Sequence, residues 1–418
     1  MRKRLGAFRE NNRHCRTNLK RPTTESTAVT DGIISLPIIE KLIGFDTTSR
    51  ESNLELIDYV QQYLAEFGID SRLVHDEEGR KANLYATVGP ADRSGICLSG
   101  HTDVVPVDGQ AWDSDPFEAL VKDGKIFGRG TSDMKSFIAI ALAFVPQLLD
   151  RGLKTPLHFA FSYDEEVGHL GAKRLVEVMR EMPVKPAMCI VGEPTSLGVI
   201  IGHKGKKKVR VHVHGHEAHS SLTHEGVNAI EYAARLITFM QGLARKWQKD
   251  GPFDEDCDVP FTTMQVGLID GGTAPNIVPK SCTFNMEIRH LPAVDPEVLF
   301  DEIRQHARDV IEPEMKAVAP DAYFEFEETP PNLALDTDPD EPVVAFVKRL
   351  AGQNKHGKVG FGTEAGLFQQ RVGIPTVVCG PGDIAQAHKP NEFITLDQVR
   401  KGEEFMARLA DYVCTETL

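Results

Sequence analysis

Three short segments of this chain set a carboxylate or an imidazole beside glycine and an apolar run. They are Ser99-Gly-His101-Thr-Asp103, Gly130-Thr-Ser-Asp133-Met-Lys135 and Tyr163-Asp-Glu165-Glu166-Val-Gly168. Gly192-Glu193-Pro-Thr195 and a late Ala387-His388-Lys-Pro390 complete the set. A His, an Asp, two Glu and a second His form the donor set that two borderline divalent cations need when one carboxylate bridges them. The chemistry implied is hydrolysis at a two-metal site.

Each member also has a plainer reading. His101 and Asp103 form a His-x-Asp pair, and side chains two apart on an extended chain point the same way. Asp103 is therefore read as an acceptor that holds the His101 ring, not as a ligand. Asp133 lies in a glycine-rich loop entering a helix, where Asp would serve simply as an N-cap; the competing reading is the bridging ligand. Asp164, Glu165 and Glu166 would repel one another in a plain loop, and divalent cations remove that repulsion. One of Glu165 and Glu166 is expected to bind metal while the other acts as general base, and spacing does not say which. Glu193 could be a turn carboxylate and His388 an exposed loop histidine; their companions favour ligation.

The elements that must position these residues alternate between strand and helix. Helical periodicity covers Pro37–Ile43 and Ser52–Leu64, and strand-like runs follow at Asp70–His75, Asn83–Val88 and Gly95–Ser99. Phe137–Phe144 reads as a buried helix directly after Asp133, and Leu157–Ser162 and Ala187–Val191 read as buried strands ending at acidic residues. This is the pattern of an α/β fold with a mostly parallel sheet, whose sites lie beyond the strand ends. From Lys206 the order becomes strand Lys207–Val213, helix Ala229–Leu243, strands Thr262–Leu268 and Cys282–Ile288, helix Pro296–Val310 and strand Tyr323–Glu327. That β-α-β-β-α-β order predicts a ferredoxin-like unit holding none of the five ligands. After Pro330–Pro342, helix Val343–Leu350, strand Thr376–Cys379 and helix Leu396–Val413 return to α/β. The expected organisation is a catalytic domain over 31–205 and 333–418, interrupted by an inserted domain over 206–332.

Composition narrows the function classes. The chain has 418 residues, 41% hydrophobic and 26% charged, enough for two ordinary globular domains. A net charge of −14 argues against a nucleic-acid partner, and no apolar run approaches the roughly 18–20 residues of a membrane span. The seven cysteines are scattered without a Cys-x-x-Cys pair, which suggests reduced thiols and a cytoplasmic protein. Residues 1–30 are basic, from Arg2 to Arg21, with no apolar segment behind them, and are expected to form a disordered extension.

Taken together, these motifs resemble the dinuclear-zinc amidohydrolase and peptidase family that includes acetylornithine deacetylase, succinyl-diaminopimelate desuccinylase, aminoacylase and carboxypeptidase. The resemblance spans about residues 36–418. His101–Trp112, Gly192–Leu197, His203-Lys-Gly205 and Gly362-Thr-Glu-Ala-Gly366 are most similar to the deacetylase branch. It implies a zinc-peptidase-like catalytic domain with an inserted dimerisation or lid domain, and two divalent ions, zinc or alternatively cobalt. It places His101 and Glu193 on one metal, Glu166 and His388 on the other, and Asp133 between them, followed by a cis peptide. It makes Glu165 the general base and Asp103 the support of His101. It also implies that His219, in Gly215-His-Glu-Ala-His219, reaches the active site of the other subunit of a homodimer and stabilises the oxyanion. A separate metal cluster built with His212, His214 and His216 is the competing reading there. Asn276 and Arg289 would bind substrate, and Thr363 and Glu364 would line the pocket for the rest of it. The expected reaction is hydrolysis of N2-acetyl-L-ornithine to acetate and L-ornithine. The alternatives are another N-acyl amino acid hydrolase or dipeptidase of the family, and a catalytically silent binding protein.

Overall fold

The computed structural model describes residues 32–418, so the basic extension lies outside the described residues. The first part of the chain supplies strands β1 (Ser71–His75), β2 (Ala82–Val88), β3 (Ile96–His101), β4 (Leu120–Lys122), β5 (Lys125–Phe127), β6 (Leu157–Ser162), β7 (Met188–Pro194) and β8 (Val199–His203). The middle supplies β9 (Gly205–His214), β10 (Thr263–Gly271), β11 (Ser281–His290) and β12 (Tyr323–Glu328). The end supplies β13 (Leu335–Asp336), β14 (His356–Val359), β15 (Thr376–Gly380) and β16 (Phe393–Thr395).

The large sheet runs β1-β2-β6-β3-β7-β15-β8-β13, with β14 beside β8. Its centre is parallel: β6 with β3, β3 with β7, and β7 with β15. Every residue of β3, β6 and β7 is buried, because helices cover both faces of such strands and leave no side for polar alternation. On one face the helix Lys135–Ala143 packs between the helices Leu36–Ile43 and Leu396–Thr415. Its unbroken apolar run reflects that burial on all sides. On the other face, helix Leu170–Arg180 and Ala365–Val372 enclose a second apolar cluster.

The middle segment forms a four-stranded antiparallel sheet, β10-β11-β9-β12, the strand order of a ferredoxin-like unit. In β9 burial alternates, with Val209, Val211 and Val213 facing the helices Ala229–Asp250 and Pro296–His306. The second helix stops at His306, continues as a wider turn over 307–311 and resumes at Glu312–Val318. Pro313 accounts for the break, since it has no N–H to donate and its ring crowds the preceding turn. Strand β8 and the small sheet β16-β5-β4 were not expected from periodicity. Among the described residues no helix is long and apolar enough to cross a membrane.

Candidate metal centre

Parallel strands β6, β3 and β7 lie side by side, so the segments at their carboxyl ends converge. His101 is the last residue of β3, Glu193 lies near the end of β7, and Glu165 and Glu166 follow β6. Asp133 comes from the loop before helix Lys135–Ala143, where the Asp133–Met134 peptide is cis, as the resemblance implied. His388 comes from the segment after β15 and has a left-handed φ of 63°.

The buried Asp133 carboxylate lies between the two imidazoles. His101 Nε2 is 2.9 Å from Oδ1, and His388 Nε2 is 3.3 Å from Oδ2. Glu193 Oε1 is 3.8 Å from His101 Nε2, while Glu166 Oε1 is 3.1 Å from His388 Nε2. His101, Asp133 and Glu193 thus form one donor group, and Asp133, Glu166 and His388 a second, each with its donor atoms within 4.8 Å of one another. Asp133 is common to both.

Electrostatics tests whether cations fit. Burial opposes charge on the His101 ring, yet its hydrogen bonds to Asp103 and Asp133 hold its pKa well above the ordinary value. Hydrogen bonds to Asp133 and Glu166 push His388 up to about 10. Burial and the Asp133 charge raise Glu166 to about 7 and Glu193 well above the carboxylate range. In the metal-free protein, protons are therefore held where cations would sit. A buried set of two imidazoles and three carboxylates suits two divalent ions.

Two further buried carboxylates hold the donor loops. Asp103 accepts from Ser49 Oγ at 2.7 Å and from the backbone N–H of Glu165 at 3.0 Å and Glu166 at 3.3 Å. It also lies 3.5 Å from His101 Nδ1, so it supports both the ring and the acidic loop. Glu392 does the same for Asp133. Its Oε1 accepts from the N–H groups of Gly130, Ser132 and Asp133 at 3.1, 2.8 and 3.1 Å, and its Oε2 pairs with buried Arg129 at 2.5 Å.

A cavity of about 190 Å³ opens onto this centre, lined by Glu165, Glu166, His169, Lys206, Arg289, Gly362 and His388 among others. Arg289 lines it while pairing with Glu287 at 2.7 Å. Thr363 is buried beside it, 3.1 Å from His203 Nε2. Glu364 is fully buried and accepts from Ser99 Oγ at 2.5 Å and Ser162 Oγ at 2.7 Å. His219 and Asn276 are brought together elsewhere: Ser220 N–H donates to Asn276 O at 3.0 Å, and both side chains are exposed outside this cavity. His212 pairs with Glu327 and His214 with Glu325, and among the described residues no donor group for a metal includes these two, His216 or His219.

Lys206, His169 and Glu392 were not singled out from sequence. Lys206 fell just outside the strand read over Lys207–Val213, whereas β9 begins at Gly205 and includes it. The strand's alternation puts Lys206 on the opposite side from buried Lys207.

Comparison with known proteins agrees with this geometry. Residues 97–412 match the model of peptidase family M20/M25/M40. An acetylornithine deacetylase of Myxococcus xanthus is 36% identical over 90% of this chain and 96% of its own length. One from Proteus mirabilis (strain HI4320) is 34% identical over 88% and 92%. Among solved structures, the M20 family metallo-carboxypeptidase Sso-CP2 of Sulfolobus solfataricus superposes with a TM-score of 0.72, at 19% identity over 91% of this chain and 99% of that one. A dinuclear metal binding peptidase of the M20 family from Bacillus subtilis gives 0.65, at 15% identity over 91% and 98%. Membership of this family, with the two donor groups, implies divalent metals. This chain belongs to peptidase family M20/M25/M40 and is a metal-dependent hydrolase.

Proposed function

We propose that this enzyme hydrolyses the amide of N2-acetyl-L-ornithine to acetate and L-ornithine, with two zinc ions. The observation that carries the reading is the pair of donor groups sharing Asp133 at the floor of a cavity that also holds Lys206 and Arg289. The extent of similarity to the deacetylases supports the substrate.

His101 and Glu193 would hold one ion, Glu166 and His388 the other, and Asp133 both. Bound there, such ions lower the pKa of water, toward about 7 for a single zinc. Glu165 then removes a proton from the attacking water and returns it to the departing amine, acting as base and then as acid. Asp103 keeps Glu165 in place through its backbone N–H and keeps the His101 ring oriented. Arg289 would clamp the α-carboxylate bidentately, a geometry lysine cannot reproduce. Thr363 and Glu364 do not line the pocket as the resemblance implied: Gly362 forms the wall, and the two side chains are buried behind it on His203 and on Ser99 and Ser162. His219 from a second copy of this chain would donate to the oxyanion, with Asn276 beside it, which makes the homodimer the active form.

Initial rates on N-acetyl-L-ornithine, with metal-loaded and chelated enzyme, test the reading. Chelator-sensitive turnover of this substrate supports it. Preference for a different N-acyl amino acid keeps the chemistry and moves the substrate.

A further inference from the structure

His169 has features that neither metal ligation nor packing explains. It is a non-glycine residue at φ 59°, in the left-handed region, immediately before helix Leu170–Arg180. Such backbone is costly for a residue with a Cβ and persists where the surroundings enforce it. The ring is 3% exposed yet lines the cavity of the metal centre. It belongs to neither donor group.

Its Nε2 lies 3.0 Å from Glu165 Oε1, and the amide nitrogen of Asn332 lies 3.3 Å from the same imidazole nitrogen. Nδ1 is buried with no hydrogen-bond partner among the described residues. This pattern selects a tautomer. With the proton on Nε2, the ring donates to Glu165, the Asn332 amide turns its oxygen rather than its NH2 toward that N–H, and the unpaired Nδ1 is only a lone pair. With the proton on Nδ1, a buried donor would be orphaned and two lone pairs would face each other at Glu165. Asn332 is itself fixed, since its backbone exchanges hydrogen bonds with Lys206 at 2.9 and 3.0 Å at the start of β9.

We infer that His169 is a positioning residue for Glu165. Its Nε2–H anchors Oε1 and leaves Oε2 free to face the reacting water. The inference rests on Glu165 being the general base. A carboxylate held by one oxygen has one direction in which to exchange a proton, and losing that anchor affects the chemical step more than substrate binding.

The test is a cycle of His169→Ala, His169→Gln, Glu165→Gln and the double variant Glu165→Gln/His169→Ala, each assayed for kcat, KM and metal content per chain. His169→Ala is expected to lower kcat by about 10²-fold, with KM and metal content unchanged. His169→Gln, whose amide N–H reaches the same oxygen, should recover part of that loss. Adding His169→Ala to Glu165→Gln should change nothing further. An unchanged kcat in His169→Ala beside an inactive Glu165→Gln would overturn the inference and leave the base assignment standing. Loss of metal in His169→Ala, or a further drop in the double variant, would also overturn it. Full turnover by Glu165→Gln would remove the base assignment itself, and the inference with it.

Discussion

The side chain of Glu392 accepts the backbone N–H of Asp133 at 3.1 Å, although 259 residues separate them. The same oxygen takes the N–H groups of Gly130 and Ser132, so one carboxylate anchors the loop that carries the bridging residue. Glu392 also lies four residues beyond His388, which ties the two donor segments together.

Removing this anchor should show first in metal binding. Glu392→Ala leaves three backbone N–H groups without their acceptor and removes the carboxylate that pairs with Arg129. Supporting partners of metal ligands typically contribute 10–100-fold in affinity, so a loss of about that size is expected. Titration with a competing chelator measures it, and wild-type affinity would show that the loop is held by other contacts.

Metal loading should release protons. His388 is held near 10 in the metal-free protein by Asp133 and Glu166, and a ligating imidazole must be neutral. At pH 8 the ring still carries its proton before binding, so affinity falls further as the pH is lowered. Calorimetry of zinc binding in buffers of different ionisation enthalpy should show net proton release at pH 8. An enthalpy independent of buffer would contradict the charge state assigned here.

A second titration concerns the sheet. Buried His158 stacks on Tyr85, and burial pushes it down to about 4. Its pKa in the unfolded chain is about 6.5, so between the two values the unfolded state binds more protons and stability falls as pH falls. The contribution is complete above pH 6.5 and is lost progressively toward pH 4. By pH 5 the loss amounts to about 2 kcal/mol. His158→Phe should flatten the urea-midpoint profile over this range, and an unchanged slope would assign the acid sensitivity to other groups.

The proposed trans role of His219 has its own test. Glu165→Gln and His219→Ala should each be nearly inactive alone. In a mixed dimer, one site regains both an intact Glu165 and an intact His219 from its neighbour. Random mixing should then restore about a quarter of wild-type activity. No recovery after confirmed subunit exchange would place His219 in the site of its own chain or outside catalysis.

How much of this was legible in the sequence depended on the range of the interaction. His101, Asp133 and Glu193 stood out because each interrupts an apolar or glycine-rich run at the end of an element, a local signal, whereas His388 gained its reading from these companions and Glu166 was told from Glu165 only by the family resemblance. The parallel core was legible because β3, β6 and β7 are mostly apolar with polar residues at or near their carboxyl ends, without the alternation of a half-exposed strand. Glu392 sat inside a noted motif, yet its partners lie 259 to 263 residues away and spacing cannot reveal them. His169 is close to Glu165 in sequence, but the link depends on a left-handed turn that composition does not announce at a histidine. Strand β8 escaped because Val199–His203 is short and ends in glycine and histidine. Asn276 and His219 were legible only through family resemblance, and the single chain places them together but apart from the cavity.

The central claim is a metal-dependent deacetylase of acetylornithine. Its most direct test is initial rates on N-acetyl-L-ornithine, N-acetyl-L-methionine and N-succinyl-diaminopimelate, with zinc-loaded enzyme and a chelated control. The account predicts preference for N-acetyl-L-ornithine and loss of turnover on chelation, restored by added zinc. Undiminished turnover after complete metal removal, or no turnover of N-acetyl-L-ornithine by fully loaded dimer, would contradict it.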